Sequence, residues 1–262
     1  KIGVEIRCNS RANKFLLEDG RVIGARCEMP RGITEVHAKS VVLASGDYAT
    51  NRELKAKYIS PEVSMVDAMN PTATGDGHEI SFPLGARVIN GDVLSGPTLR
   101  FIPPPRESID RMLPPTKIVT KFMRFALKYM PDRILRPFVL GFTTTSMAPE
   151  LDLFTNGALL VNKDGKRITD VPAKLGLAIA QEPDKIGYVI LDSSLAAKYS
   201  AWPDFIATAP GVSYAYLDDF RKTRPDIFRK TDSITTLAGA LDMPQDELMK
   251  SVEAHNASGE TK

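Results

Sequence analysis

The chain has 262 residues, 43% of them hydrophobic and 25% charged, with 34 Lys plus Arg against 32 Asp plus Glu for a net charge of +2. Such globular values exclude disordered, collagen-like and low-complexity chains, and the length suffices for one or two domains with cores of their own. The balanced charge excludes a whole-chain basic footprint for nucleic acid, and no stretch reaches the roughly 18 apolar residues of a membrane span.

Read in order, the first stretch predicts β structure. Val4, Ile6 and Cys8 alternate with polar neighbours, Phe15-Leu16-Leu17 follows, and Asp19-Gly20 signals a hairpin returning through Val22 to Cys27. Pro30-Arg31-Gly32 turns the chain again into Ile33 to Ala38. The β-branched run Ser40-Val41-Val42-Leu43-Ala44-Ser45-Gly46 predicts a buried parallel strand that ends in a tight turn. Asn51 is placed to N-cap a helix starting at Arg52. Thr72-Ala73-Thr74-Gly75-Asp76-Gly77 then precedes an apolar helical pattern, an arrangement that can set backbone N–H groups toward an anion but is equally a plain turn.

Residues 87–105 are rich in Pro and Gly and predict a crossing into a second domain. A helix is expected over Thr116 to Met130, between two prolines, with Lys117, Lys121, Arg124 and Lys128 on one face. It lies in the segment from Asp110 to Phe138, which holds seven basic and two acidic side chains and leaves −3 for the rest. Two readings of this helix stay open: an interfacial helix on anionic lipid, or a domain helix with a solvated basic face and its apolar face in the core. Further on, Gly157 to Val161 predicts a strand and Asn162 to Lys166 a hairpin turn returning through Thr169. Tyr188 to Leu191 predicts a buried strand, and Ile234 to Leu241 and Pro244 to Ala257 predict helices. Cys8 and Cys27 are not in a CxxC pair, so both are expected as buried reduced thiols in a reducing, cytoplasmic compartment. His37, His78 and His255 share no ligand spacing, and no metal site is expected.

The order of these motifs resembles the FAD-dependent flavoproteins of the fumarate reductase and succinate dehydrogenase family, with urocanate reductases and ketosteroid dehydrogenases. The resemblance is carried by Asp19-Gly20-Arg21-Val22-Ile23-Gly24-Ala25, Ser40 to Gly46, Thr72 to Gly77, Gly85-Ala86, Asn156 to Arg167 and Leu248 to Asn256. It implies an α+β chain: residues 1–86 as the trailing part of a Rossmann-like FAD-binding domain, and 87–262 as a capping domain that contributes the substrate pocket. No G-x-G-x-x-G occurs, and the chain opens inside a strand-like pattern, so an internal fragment lacking the dinucleotide fingerprint is expected.

The resemblance further implies FAD as cofactor of the intact protein, with the fragment alone not retaining it. Ala12 would approach the adenine through its backbone, Ala44, Ser45 and Gly46 would form the turn beside the cofactor, and Asp76 would be the acidic flavin-side contact. Asp47 stands where a second glycine is usual. Fumarate-reducing members carry a His-Pro-Thr motif, an acidic residue and arginine before the Asn-Gly strand, and a proton-donating arginine. The comparable stretches here are Gly96-Pro97-Thr98, Leu151-Asp152-Leu153-Phe154-Thr155 and Leu175, with Val171 where an acidic residue is usual. The expectation is an oxidoreductase for a C–C or C=C bond beside a carbonyl in an apolar substrate. The alternatives are a fumarate- or urocanate-type reductase and a non-catalytic binding module derived from the cap. No catalytic acid or base is assigned, and peripheral membrane contact through Thr116 to Met130 is one expected partner surface.

Overall fold

The computed structural model describes residues 3–94, 96–103, 116–131, 134, 140, 147–168, 174–209 and 213–258. Helices and strands are mixed as an α+β chain, and every strand pairing among these residues is antiparallel. The chain divides into two compact units, Lys1–Ser95 and Gly96–Lys262.

The first unit opens with a three-stranded meander, β1 (Arg11–Glu18), β2 (Arg21–Met29) and β3 (Gly32–His37), ordered β1-β2-β3. The expected hairpin turn is present. Asp19 (φ 48°) and Gly20 (φ 76°) both take left-handed backbone between the paired residues Glu18 and Arg21, the geometry that matches strand twist in a two-residue loop. Helix α1 (Arg52–Tyr58) begins where Asn51 accepts the Leu54 amide at 3.0 Å, as its sequence position predicted. Helix α2 (Pro61–Ser64) has Ser60 as N-cap and proline in its first turn. Helix α3 (Asp76–Ser81) follows the left-handed Gly75 and runs into a 3-10 turn over Phe82–Leu84.

Three expectations for this unit are corrected. Strand β1 starts at Arg11, so Val4, Ile6 and Cys8 lie outside it, and the Cys8 thiol is exposed rather than buried. Cys27 does sit in β2, half-buried. The run Ser40 to Gly46 is extended but is not a strand: no described strand pairs with it, and Val42 is 87% exposed. An apolar parallel strand is stable only between neighbours and under helices on both faces; among the described residues no strand pairs with this run, and α3 touches it at Leu43 and Ser45.

In the second unit, α4 (Lys117–Tyr129) is followed by β4 (Ala148–Pro149), α5 (Leu151–Thr155) and β5 (Leu159–Val161). Next come α6 (Leu175–Gln181), β6 (Tyr188–Ile190), α7 (Ser193–Lys198), β7 (Ala207–Ala209), β8 (Ser213–Ala215) and α8 (Leu217–Thr223). Helices α9 (Ile234–Ala240) and α10 (Gln245–Ala257) close the chain. The strands form a three-stranded sheet β4-β7-β8 and a pair β5-β6. The predicted return strand after Asn162–Lys166 is a single bridge between Val161 and Arg167, and Thr169 lies outside the described residues. Strand β6 is half-buried, less so than its apolar sequence predicted.

One core gathers Met147, Leu153, Ala158, Leu195, Tyr199, Ile206 and Phe220; a second joins Leu159 and Val161 of β5 to Ala238, Met243 and Leu248. Buried Tyr199 couples two helices through polar atoms. Asn156 donates to its phenol oxygen at 3.1 Å, and Lys198 donates to Asn156 Oδ1 at 2.8 Å. Arg224, also buried, donates to the Ile102 carbonyl at 2.6 Å and pairs with Asp226 at 2.9 Å, which holds that carboxyl below the usual carboxylate range.

Candidate functional site

Where β1 begins, it runs beside α3 of the same unit. Arg11, Ala12 and Asn13 of β1, Glu28 of β2, and Asp76, Glu79 and Ile80 of α3 line an open cleft of about 290 Å³. The pairing of β1 with β2 shifts register between Ala12 and Lys14, a bulge that re-aims the strand at this point.

Each carboxylate in the cleft is held by a donor. Arg11 Nε donates to Asp76 Oδ2 at 2.7 Å and the Thr74 hydroxyl donates to Oδ1 at 2.8 Å. These two hydrogen bonds, the arginine's first, hold the Asp76 carboxyl below the usual range. Asn13 Nδ2 donates to Glu28 Oε1 at 2.9 Å, and Asn51 Nδ2 donates to Glu79 Oε1 at 2.8 Å. Three carboxylates against one arginine leave the cleft acidic. A carboxylate has more lone pairs than these bonds use, so the cleft offers fixed acceptors to hydroxyl and amino donors. It offers no cationic cradle for phosphate.

Ala44-Ser45-Gly46, expected as a tight turn, carries no turn at these positions; the segment is exposed and does not line that cleft, but it lies against the same loop as Asp76. The Gly75 amide donates to the Asp47 carbonyl at 3.1 Å. A β-carbon on Gly77 would collide with Ser45 Oγ and would lie 2.9 Å from a Leu43 methyl. Ser45 and the second residue of α3 can approach this closely only because residue 77 has no side chain. Of the residues singled out from the sequence, Ala12 and Asp76 thus share the cleft, and Ser45 packs behind it. Arg11, Asn13, Glu28 and Glu79 were not foreseen. Arg11 lies 65 positions from Asp76, to which it donates, and without the strand register no local signal joins these residues.

The second unit brings together two stretches singled out for substrate. The Pro97 carbonyl lies so close to Gly176 that a β-carbon there would overlap it, and the neighbouring Leu175 is only 2% exposed. Leu153 of α5 is fully buried as well. Val171 lies outside the described residues. Among the described residues no group of three or more His, Cys, Asp or Glu could hold a metal ion.

Residues 1–106 match the family model of the FAD binding domain. The chain is related to the FAD-dependent oxidoreductases. A probable fumarate reductase, Ifc3, from Shewanella frigidimarina (strain NCIMB 400) is 29% identical over 202 residues, covering 75% of this chain and 27% of that protein. The solved open conformation of a flavocytochrome c3 fumarate reductase superposes with TM-score 0.61 at 25% identity, over 98% of this chain and 37% of that one. A 3-ketosteroid-Δ4-(5α)-dehydrogenase from Rhodococcus jostii RHA1 covers 98% of this chain and 41% of its own at 16% identity, with TM-score 0.44, too slight a likeness to carry an argument. The chain therefore spans well under half the length of the relatives it matches.

FAD fits the first unit at its nucleoside end. The acceptors of Glu28, Asp76 and Glu79 suit ribose hydroxyls and an adenine amino group, and the bulged strand at Ala12 brings main chain to the same cleft.

Proposed function

We propose that the chain is part of an FAD-dependent oxidoreductase that dehydrogenates or reduces a C–C or C=C bond beside a carbonyl in an apolar substrate. Residues 1–86 serve as the trailing part of the FAD domain and 87–262 as the capping domain. In this reading the Ala12 main chain and the cleft carboxylates hold the nucleoside of FAD; Asp76 then serves the nucleoside end and not the flavin side where the resemblance put it, because Arg11 ties it into the same cleft as Ala12, and Ala44, Ser45 and Gly46 lie beside the cofactor. When bound, FAD supplies the hydride donor or acceptor. The observation that carries the substrate class is the apolar packing of Leu175 beside Gly176 and Pro97. Where the resemblance places a proton-donating arginine this chain buries Leu175, and where it places a histidine this chain has Gly96, with no side chain to clamp a carboxylate. A carboxylate left there without a cation would carry its full desolvation cost. The free thiols Cys8 and Cys27 suit a reducing compartment, the cytoplasm.

A second reading, a fumarate-type reductase with other anion-binding residues, is favoured by the 29% identity to the Shewanella protein. The test is the visible spectrum of the purified full-length protein, followed by anaerobic titration with an apolar α,β-unsaturated ketone, its saturated partner, and fumarate. Flavin bands that respond to the ketone pair support the first reading. A response to fumarate alone establishes the second, and a colourless protein indifferent to added FAD leaves a non-catalytic binding module.

A further inference from the structure

Helix α4 has the sequence KIVTKFMRFALKY and contains no acidic residue. At about 100° per residue, Lys117, Lys121, Arg124 and Lys128 fall within a sector roughly 60° wide. Ile118, Phe122, Phe125 and Tyr129 fill a second sector of roughly 60°, centred about 100° away. The side of the helix that meets protein is a third direction, where Ala126 is buried and Val119 half-buried. A domain helix of this composition would turn its large apolar residues to the core. Here the reverse holds: Ile118 is 81%, Phe122 68%, Phe125 60% and Tyr129 61% exposed. Phe125 and Tyr129 pair at 4.9 Å between ring centroids, and Lys128 Nζ lies 5.1 Å from the Tyr129 ring centroid.

We infer that this face of α4 docks on an anionic phospholipid surface. Four side chains of hydrocarbon and aromatic character would enter the headgroup boundary, and the adjoining row of four cations would meet lipid phosphate, with lysine stems extending along the apolar sector. Charge decides the occupant. A uniformly cationic helix in a segment of net charge +5 repels a second copy of itself but is drawn to an anionic bilayer. The helix is 13 residues long, too short to cross, and none among the described residues is long and apolar enough to do so. This inference is independent of the flavin chemistry proposed above.

The test is co-sedimentation of the purified protein with vesicles of phosphatidylcholine alone and of phosphatidylcholine mixed with phosphatidylglycerol. Binding to the mixed vesicles, weakened by salt, is expected. Lys121→Gln is expected to lower it about five-fold, the weight of one cation near such a surface. Phe122→Ser with Phe125→Ser is expected to abolish it, while far-UV circular dichroism and melting temperature stay unchanged because both rings are exposed. Lack of sedimentation with anionic vesicles overturns the inference, as does binding that survives both sets of substitutions. A dimer by light scattering that Phe122→Ser dissociates, with no lipid binding, would assign the face to a second copy instead.

Discussion

At the scale of single residues, Asp76 is the best-defined group in the acidic cleft. Its carboxyl titrates below the ordinary value because Arg11 and Thr74 donate to its two oxygens. A depressed folded value contributes stability above the unfolded value of about 4, and that contribution is lost as pH falls through the folded value. Arg11→Met is therefore expected to lower the melting temperature near neutrality and to flatten its fall in the acid range below about pH 4. Thermal melts across that range check it; an unchanged pH profile would count against the pair. Gly77 offers a second measurement. Alanine there gains about 1 kcal/mol of helix propensity but forces Ser45 Oγ and Leu43 aside, at a cost of about 1–3 kcal/mol. Gly77→Ala is expected to destabilise, and Ser45→Gly in the same chain to restore part of the loss. A double-mutant cycle reads this as a coupling of at least about 0.5 kcal/mol.

At the scale of elements, polar links between helices matter as much as the cores. Tyr199 ends α7, and through Asn156 it reaches the end of α5. Burial, with Asp152 nearby, pushes its phenol up to about 12. A raised folded value gives stability that is whole below about 10 and is lost as pH climbs through the folded value. Tyr199→Phe is expected to cost about 1 kcal/mol at neutral pH and to remove this part of alkaline unfolding, measured by denaturant titration at pH 7 and above pH 10. Elements whose signals are local were legible in the sequence: the Asp19-Gly20 turn, the Asn51 cap, the Thr116 start of α4 and the pair α9–α10. Elements whose stability depends on partners were not. Val4 to Cys8 and Ser40 to Gly46 have the composition of strands, but a strand needs a neighbour, and composition does not state whether one is present. The cleft was half legible for the same reason: the resemblance pointed to Ala12 and Asp76, whereas Arg11, Glu28 and Glu79 meet them only through strand register and the β1–α3 approach.

At the scale of the whole molecule, the two units are unequally buried. The second holds both hydrophobic clusters, whereas the buried apolar side chains described in the first are the dispersed Phe15, Leu54, Val63 and Ala73. Apolar burial is the main stabilising term, so the first unit is expected to melt at the lower temperature. Trp202, the single tryptophan, lies in the second unit, so its fluorescence follows that unit alone and far-UV circular dichroism follows both. Two transitions by dichroism and only the later one by fluorescence are expected; one coincident transition would overturn the inequality.

The extended run at Ser40 to Gly46 also bears on how the protein behaves in a test tube. An exposed β-branched segment outside any sheet is a template on which other chains add strands, and growth of this kind accelerates with concentration. Insoluble material formed during expression or refolding is expected to start here. A gatekeeper charge, Val42→Lys, is expected to lengthen the lag before light scattering rises, at little structural expense, since Val42 already faces water.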